Sequence, residues 1–189
     1  GRIEQSECFV FQDGRVYSFN DDISVSGEHG AGRDVEGAVK ASILLDFVKK
    51  ITDEEIEIDH SSTELILSGK DWSSGFTIKS NISLPFHLVD QSEDWKPLSE
   101  GWIDALDWVQ QCASQDQSNF ESTCVHMTPT FLEAFDDFQC CRWKVSTPIE
   151  FHTLLRQQAL KHLELIQPTH LSETQAWVHF KTEKEVVFS

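Results

Sequence analysis

Carboxylates cluster at two points of the sequence, Asn20-Asp21-Asp22 and Asp136-Asp137. Paired acids at strand ends can hold Mg²⁺ for phosphodiester hydrolysis, so a metal-dependent nuclease is one reading. The two groups also occupy equivalent places in a repeated pattern, where a tight turn between strands is expected. Asx side chains favour such turns because they bond nearby backbone, and the turn is the preferred reading. Eight histidines invite a metal centre. His126 and His179 fall inside different strand patterns, and His152 and His162 are too far apart on one predicted helix for an i,i+4 pair. No HExxH or Cys/His cluster appears, so no metal ligand and no cofactor is predicted. The five cysteines form an odd set without CxxC spacing. Cys8, Cys112 and Cys124 sit in apolar patterns and read as buried thiols of a reducing compartment rather than disulfide or zinc partners. Cys140 and Cys141 alternate to opposite faces of a strand and cannot enter one site. No His partner is evident for a Cys nucleophile, no GxSxG elbow for a Ser, and GAGRD lacks the GxxxxGK of a phosphate loop. No catalytic residue is predicted, and the chain reads as a non-enzyme.

The elements that carry these residues must come from 189 residues, enough for one large domain or two of roughly 100 each. Hydrophobic content of 39%, with 13 Phe and 6 Trp, is sufficient for a core. The net charge of −17 argues against a general nucleic-acid binder but leaves room for a basic stripe on an acidic body. The longest apolar stretch, ASILLDFV, is cut by Asp46, so no membrane span is predicted. No secretory signal is visible at the start.

Residues 8–12 and 15–26 predict a hairpin around Asp13-Gly14. Val39, Ile43, Leu44, Phe47, Val48 and Ile51 recur at helical spacing and predict a helix over 37–51. EIEIDHSSTELILSG reads as a hairpin turning at Ser61-Ser62, and GFTIKSNISLP as a further strand that Pro85 stops. The polar stretch before Ser99 predicts a domain boundary near 98. Ser99 is the predicted cap of a helix over 101–112, with Trp102, Ala105, Leu106, Val109 and Cys112 on its apolar face. Strands are predicted over 121–128 and 130–146. Pro148 opens a predicted helix to about 166, with Phe151, Leu155, Ala159 and Leu163 on one side. QAWVHFKTEKEVVFS reads as a closing hairpin near Thr182-Glu183. Each half therefore runs hairpin, helix, hairpin, and CFVFQDGRVYSFNDDISVS recurs roughly 115 residues later as CVHMTPTFLEAFDDFQCCRWKVS. This is a domain duplication of the α+β class, domains 1–98 and 99–189. The first half lacks the helix that opens the second, and the last strand has no partner after it. Gly1 stands where an initiator Met would, and together these features predict a fragment of a longer chain.

The repeat, with VKASILLDFVKKITDEEIEI, LILSGKDWSSGFTI, LSEGWIDALDWVQQCASQDQSNF, TPIEFHTLLRQQALKHLELI and WVHFKTEKEVVFS, resembles the DNA sliding clamp family. The resemblance is to the bacterial DNA polymerase III beta-subunit type and its phage relatives. It implies duplicated domains with antiparallel sheets outside and helices packed on the inner face. It also implies a ring-forming homo-oligomer around duplex DNA that tethers a polymerase and is placed by a clamp loader, in the cytoplasm of a bacterial or phage-infected cell. The first domain would lack its first strand and helix, and the second would be truncated at its C-terminal end.

A ring that slides needs a few basic side chains reaching phosphates without base readout. Such residues are expected on the helices. On 37–51, Lys49 and Lys50 lie with Ser42 and Asp46 opposite or beside the apolar stripe, and Lys40 lies within its arc and snorkels. On 149–163, Lys161 shares a polar face with Glu150, Thr153 and Gln157, while Arg156 and His152 flank the core side. Lys40, Lys49, Lys50, Arg156 and Lys161 are the predicted DNA contacts; the competing reading is an ordinary solvated helix face. The 101–112 helix offers only Asp104, Asp107 and Gln111, which suits a second reading, a clamp-fold interaction module without DNA binding. Trp95, Trp102 and Trp108 read as interdomain packing, with a peptide pocket as the alternative.

Overall fold

The computed structural model describes residues 4–20, 22–30, 32–90, 92–116 and 118–189. The chain divides into two compact units, Gly1–Val89 and Asp90–Ser189.

In the first unit, alternating Phe and Val residues form β1 (Cys8–Gln12), β2 (Arg15–Asn20) and β3 (Ile23–Glu28). Asp13 and Gly14 both take positive φ, 53° and 79°, which matches the turn to the twist of the β1–β2 hairpin. Then come β4 (Gly37–Lys40) and α1 (Ala41–Val48). The strands β5 (Glu57–His60), β6 (Glu64–Ser68) and β7 (Ser73–Lys79) complete the sheet, in the order β5-β6-β7-β4-β1-β2-β3, with antiparallel pairing throughout. Ser61 turns the β5–β6 hairpin as predicted: its Oγ accepts the Glu64 N–H at 3.1 Å.

The helix predicted over 37–51 is corrected to 41–48. Residues 37–40 are strand, because Ala38 and Val39 pair with β1 on one side and β7 on the other, and both are buried. Gly37 makes that position possible. Its φ is +134°, and a Cβ there would stand 2.7 Å from Ile78 Cγ1 and the Lys79 carbonyl oxygen. Of the predicted stripe, Leu44 is buried and Phe47 packs on a core of Phe11, Val35, Val39, Leu65, Phe76 and Ile78. Ile43 and Val48 instead face outward, 57% and 45% exposed.

The second unit repeats this order. β9 (Cys124–Met127), β10 (Phe131–Phe135), β11 (Cys140–Lys144) and β12 (Thr153–Arg156) lead into α3 (Gln157–Ile166). β13 (His170–Glu173), β14 (Val178–Lys181) and β15 (Val187–Phe188) follow. Two elements stand in front of the repeat: β8 (Lys96–Pro97) and α2 (Trp102–Gln110). β11-β10-β9-β12 form one sheet, while β15-β14-β13-β8 are neighbours in a second arrangement. The division falls ahead of the predicted 98 because Lys96 and Pro97 pair with Leu171 and His170 of β13.

Three further expectations change. The helix predicted from Pro148 begins only at Gln157; Thr153–Arg156 pair with β9, so Leu155 is buried in a strand and Phe151 is 72% exposed. Ser99 does not cap α2, since its hydroxyl donates to the Ser146 carbonyl and Gly101 holds the N-cap position at φ 76°. Cys112 is not a free thiol: it is disulfide-bonded to Cys141, 29 residues on. Strand alternation aims Cys141 at the α2 side of β11, where the end of that helix places Cys112. Cys8, Cys124 and Cys140 are free.

The predicted apolar face of α2 does pack: Trp102, Ala105, Leu106 and Val109 are buried, as is Cys112. α2 lies against α3 and the β9–β11 sheet. The tryptophans expected between domains find their described partners inside the second unit. Trp102 packs on Phe180, Trp108 on Trp143, and Trp95 lies near His179 and under the Lys181 ammonium. Among the described residues, no helix is long and apolar enough to cross a membrane.

Candidate nucleic-acid interface

The two copies place a basic residue at the same point. Lys40 ends β4 and is the N-cap of α1; Arg156 ends β12 and is the N-cap of α3. Lys40 pairs with Cys8, the first residue of β1, and Arg156 with Cys124, the first residue of β9. The spacing from Cys8 to Cys124 is the spacing from Lys40 to Arg156. Neither helix has a side-chain cap or an acidic residue in its first turn. Each N-terminus therefore carries the positive end of its dipole beside a basic side chain, a combination that favours an anion such as phosphate.

The remaining predicted DNA-binding residues are placed unevenly. Lys49 is the C-cap of α1 and Lys50 follows it, so these two stand together and apart from Lys40 at the other end of the eight-residue helix. Lys161 is on α3, one turn on from Arg156. All five cations are exposed. Among the described residues, Lys40, Lys49, Lys50 and Lys161 make no ion pair, while the Arg156 guanidinium lies 5.0 Å from the Phe120 ring centre. Glu150, Thr153 and His152, predicted beside Lys161 on one helix, are not on α3. Its exposed residues include Gln158, Lys161, His162, Glu164 and Leu165. α2 shows Asp104, Asp107, Trp108 and Gln111 to solvent, with no basic residue.

One side chain of each predicted group, Asn20 and Asp136, bonds the backbone of its turn. The Asn20 Oδ1 accepts the Ile23 N–H at 2.9 Å, and the Asp136 Oδ1 accepts the N–H groups of Phe138 and Gln139, both at 2.8 Å. These backbone bonds, Phe138 foremost, hold the Asp136 carboxyl below its ordinary pKa. Asp21 lies outside the described residues. Among those residues, no three His, Cys, Asp or Glu side chains are grouped as a metal ion would need.

One polar cluster was not foreseen. Glu133 on β10 receives the Arg142 Nε–H at 2.8 Å, and its other oxygen lies 2.9 Å from the His126 Nδ1. Partial burial opposes its ionisation, but the bonds from His126 and Arg142 outweigh burial and hold its carboxyl below the usual range. The Arg142 guanidinium also stacks 4.2 Å from the Phe131 ring centre. Strand alternation could have found this group, but only with the β9–β10–β11 register known.

Solved structures share this arrangement of helix-bearing units on antiparallel sheets. A protein from Eubacterium rectale assigned as a DNA polymerase III beta subunit superposes with a TM-score of 0.79 at 13% identity, over 98% of this chain and 57% of that one. The sliding clamp of Bartonella birtlesii bound to griselimycin gives 0.76 at 14% identity, over 97% and 56%. The fold is that of the DNA polymerase III beta-subunit clamp. The Helicobacter pylori beta clamp bound to a DNA ligase peptide also shares the clamp fold, with a TM-score of 0.73 at 11% identity over 98% and 58%. The chain thus spans little more than half of each clamp. No family model and no curated protein sequence matches it.

Proposed function

We propose that this chain is part of a sliding-clamp-like processivity factor, a non-enzymatic ring that encircles duplex DNA and tethers a replicative polymerase. The observation that carries this reading is the repeat within the clamp fold. In both copies a strand ends in a basic residue at the N-cap position of a helix that has no side-chain cap, Lys40 at α1 and Arg156 at α3. With Lys49, Lys50 and Lys161, these side chains would touch phosphates without reading bases. Few such cations suffice, because a closed ring is held by topology rather than affinity. The parent protein would form the ring as a homo-oligomer, loaded by a clamp loader in the cytoplasm of a bacterial or phage-infected cell. Its first domain would gain a strand and helix before this chain, and its second would continue after it. The ligase-peptide complex of the Helicobacter pylori clamp supports a docking role toward DNA enzymes.

A second reading, a clamp-fold interaction module that does not bind DNA, is favoured by α2, whose exposed face carries Asp104 and Asp107 without a cation. Retention of the intact parent on nicked circular DNA, with its loader, separates the two. Charge reversal at Lys49, Lys50 and Lys161 is expected to lower retention. It should also flatten the salt dependence by up to about 0.9 in log–log slope for each phosphate no longer neutralised. Absence of retention by the unmodified parent favours the interaction module. Cleavage of circular and linear DNA in Mg²⁺ would overturn both in favour of a nuclease.

A further inference from the structure

We propose that the Cys112–Cys141 disulfide is a reversible redox staple that fixes the end of α2 to the strand β11. Cys112 sits one turn past Trp108, its N–H bonded to the Val109 carbonyl at 3.0 Å, and is 5% exposed. Cys141 lies inside β11, the outermost strand of its sheet, opposite the buried Ala134, and is itself only half-buried. The Cα atoms are 6.0 Å apart, a separation that a disulfide spans without moving the backbone. The neighbouring tie between the two elements is the Trp108–Trp143 ring pair at 5.4 Å, whose members are 47% and 39% exposed. The bond therefore sits at a solvent-facing seam, and a small thiolate can approach it through Cys141.

Two of the three free cysteines, Cys124 and Cys140, do not compete. Cys124 is buried, and burial raises its pKa, which keeps it an unreactive thiol. Cys140 is exposed but alternates to the opposite face of β11, away from Cys112. Opening the staple takes two glutathione molecules. A glutathione thiolate attacks the Cys141 Sγ, the sulfur–sulfur bond breaks, and Cys112 leaves as a thiolate and takes a proton. A second glutathione thiolate then attacks the mixed disulfide, releasing oxidised glutathione and the Cys141 thiol. Two glutathione thiols are oxidised and one protein disulfide is reduced; closure is the reverse, with oxidised glutathione as oxidant. In the reducing setting of the proposed function, the staple is open until oxidant rises. The staple itself does not depend on DNA binding.

The test equilibrates the full chain with glutathione at graded thiol-to-disulfide ratios, quenches by alkylation after unfolding, and counts labels by mass. The expected change is from three labelled cysteines to five as the ratio rises. The stapled fraction should fall from over about nine-tenths to under about a tenth within the range that glutathione buffers. The melting temperature should fall with it by roughly 10 °C, because opening the bond restores freedom to the unfolded loop. Tryptophan fluorescence should follow, since Trp108 and Trp143 flank the bond. Cys140→Ser should leave the titration unchanged, and Cys112→Ser should remove it. Five labels at every ratio, three at every ratio, or a label change without a melting shift would each overturn the proposal, and all three are read on the unsubstituted chain.

Discussion

His179 shows how one buried side chain sets a pH limit. It is 2% exposed, with Nδ1 2.8 Å from the Ser189 Oγ and Nε2 3.2 Å from the Thr174 Oγ1. Burial lowers its pKa, and the charge of Asp90 offsets this only in part. The folded state therefore resists a proton that the unfolded chain accepts near pH 6.5. The stabilisation is complete above that pH and is lost as pH falls toward the lower folded value. Thermal melts at about pH 7.5, 6.5 and 5.5, which bracket the unfolded value, should show a decline on acidification that is reduced in His179→Gln. Equal slopes for both proteins would refute the assignment. Residue chemistry of this kind was only partly legible in the sequence. The Asx turns at Asn20 and Asp136 were, because each is made within four residues. The Cys112–Cys141 bond was not, because it needs a helix end and a strand to be brought together across 29 residues.

At the scale of elements, the apolar face of α2 was readable from its spacing, whereas the starts of α1 and α3 were not. The segments 37–40 and 153–156 carry apolar residues that also fit a helical period, and the competing strand is stabilised only by partners far along the chain. β4 holds two such partners, and Gly37 lets it approach β7. Gly37→Ala would place a methyl against Ile78 and the Lys79 carbonyl at a φ of +134°. It is expected to cost about 1–3 kcal/mol, read as a lower urea midpoint with an unchanged m-value. An unchanged midpoint would mean that the β4–β7 pairing tolerates the methyl. The shortened α1 also takes Lys40 off the helix: it ends β4 in front of α1, whereas the periodicity predicts it within the arc of the helix's apolar stripe, and Lys49 and Lys50 stand past the other end.

For the whole molecule, a charge of −17 suits a DNA-encircling role in which a few basic side chains touch phosphates and retention rests on topology more than on affinity. Under the proposed function, the intact parent loaded on closed circular DNA should stay bound at salt concentrations that abolish its binding to short linear duplex. Linearising the circle should then release it. Equal salt sensitivity on circles and linear DNA would argue for ordinary electrostatic binding rather than a ring.

The sequence alone determined the duplication, the hairpin turns, the α+β class and the resemblance to clamps, since these rest on local patterns and on their order along the chain. Only the tertiary structure decided where α1 and α3 begin, that Lys96-Pro97 joins the second unit, and that Cys112 meets Cys141. Each of those outcomes depends on which distant strand or helix supplies a partner, and pairing energy of that kind leaves no mark on the spacing of neighbouring residues.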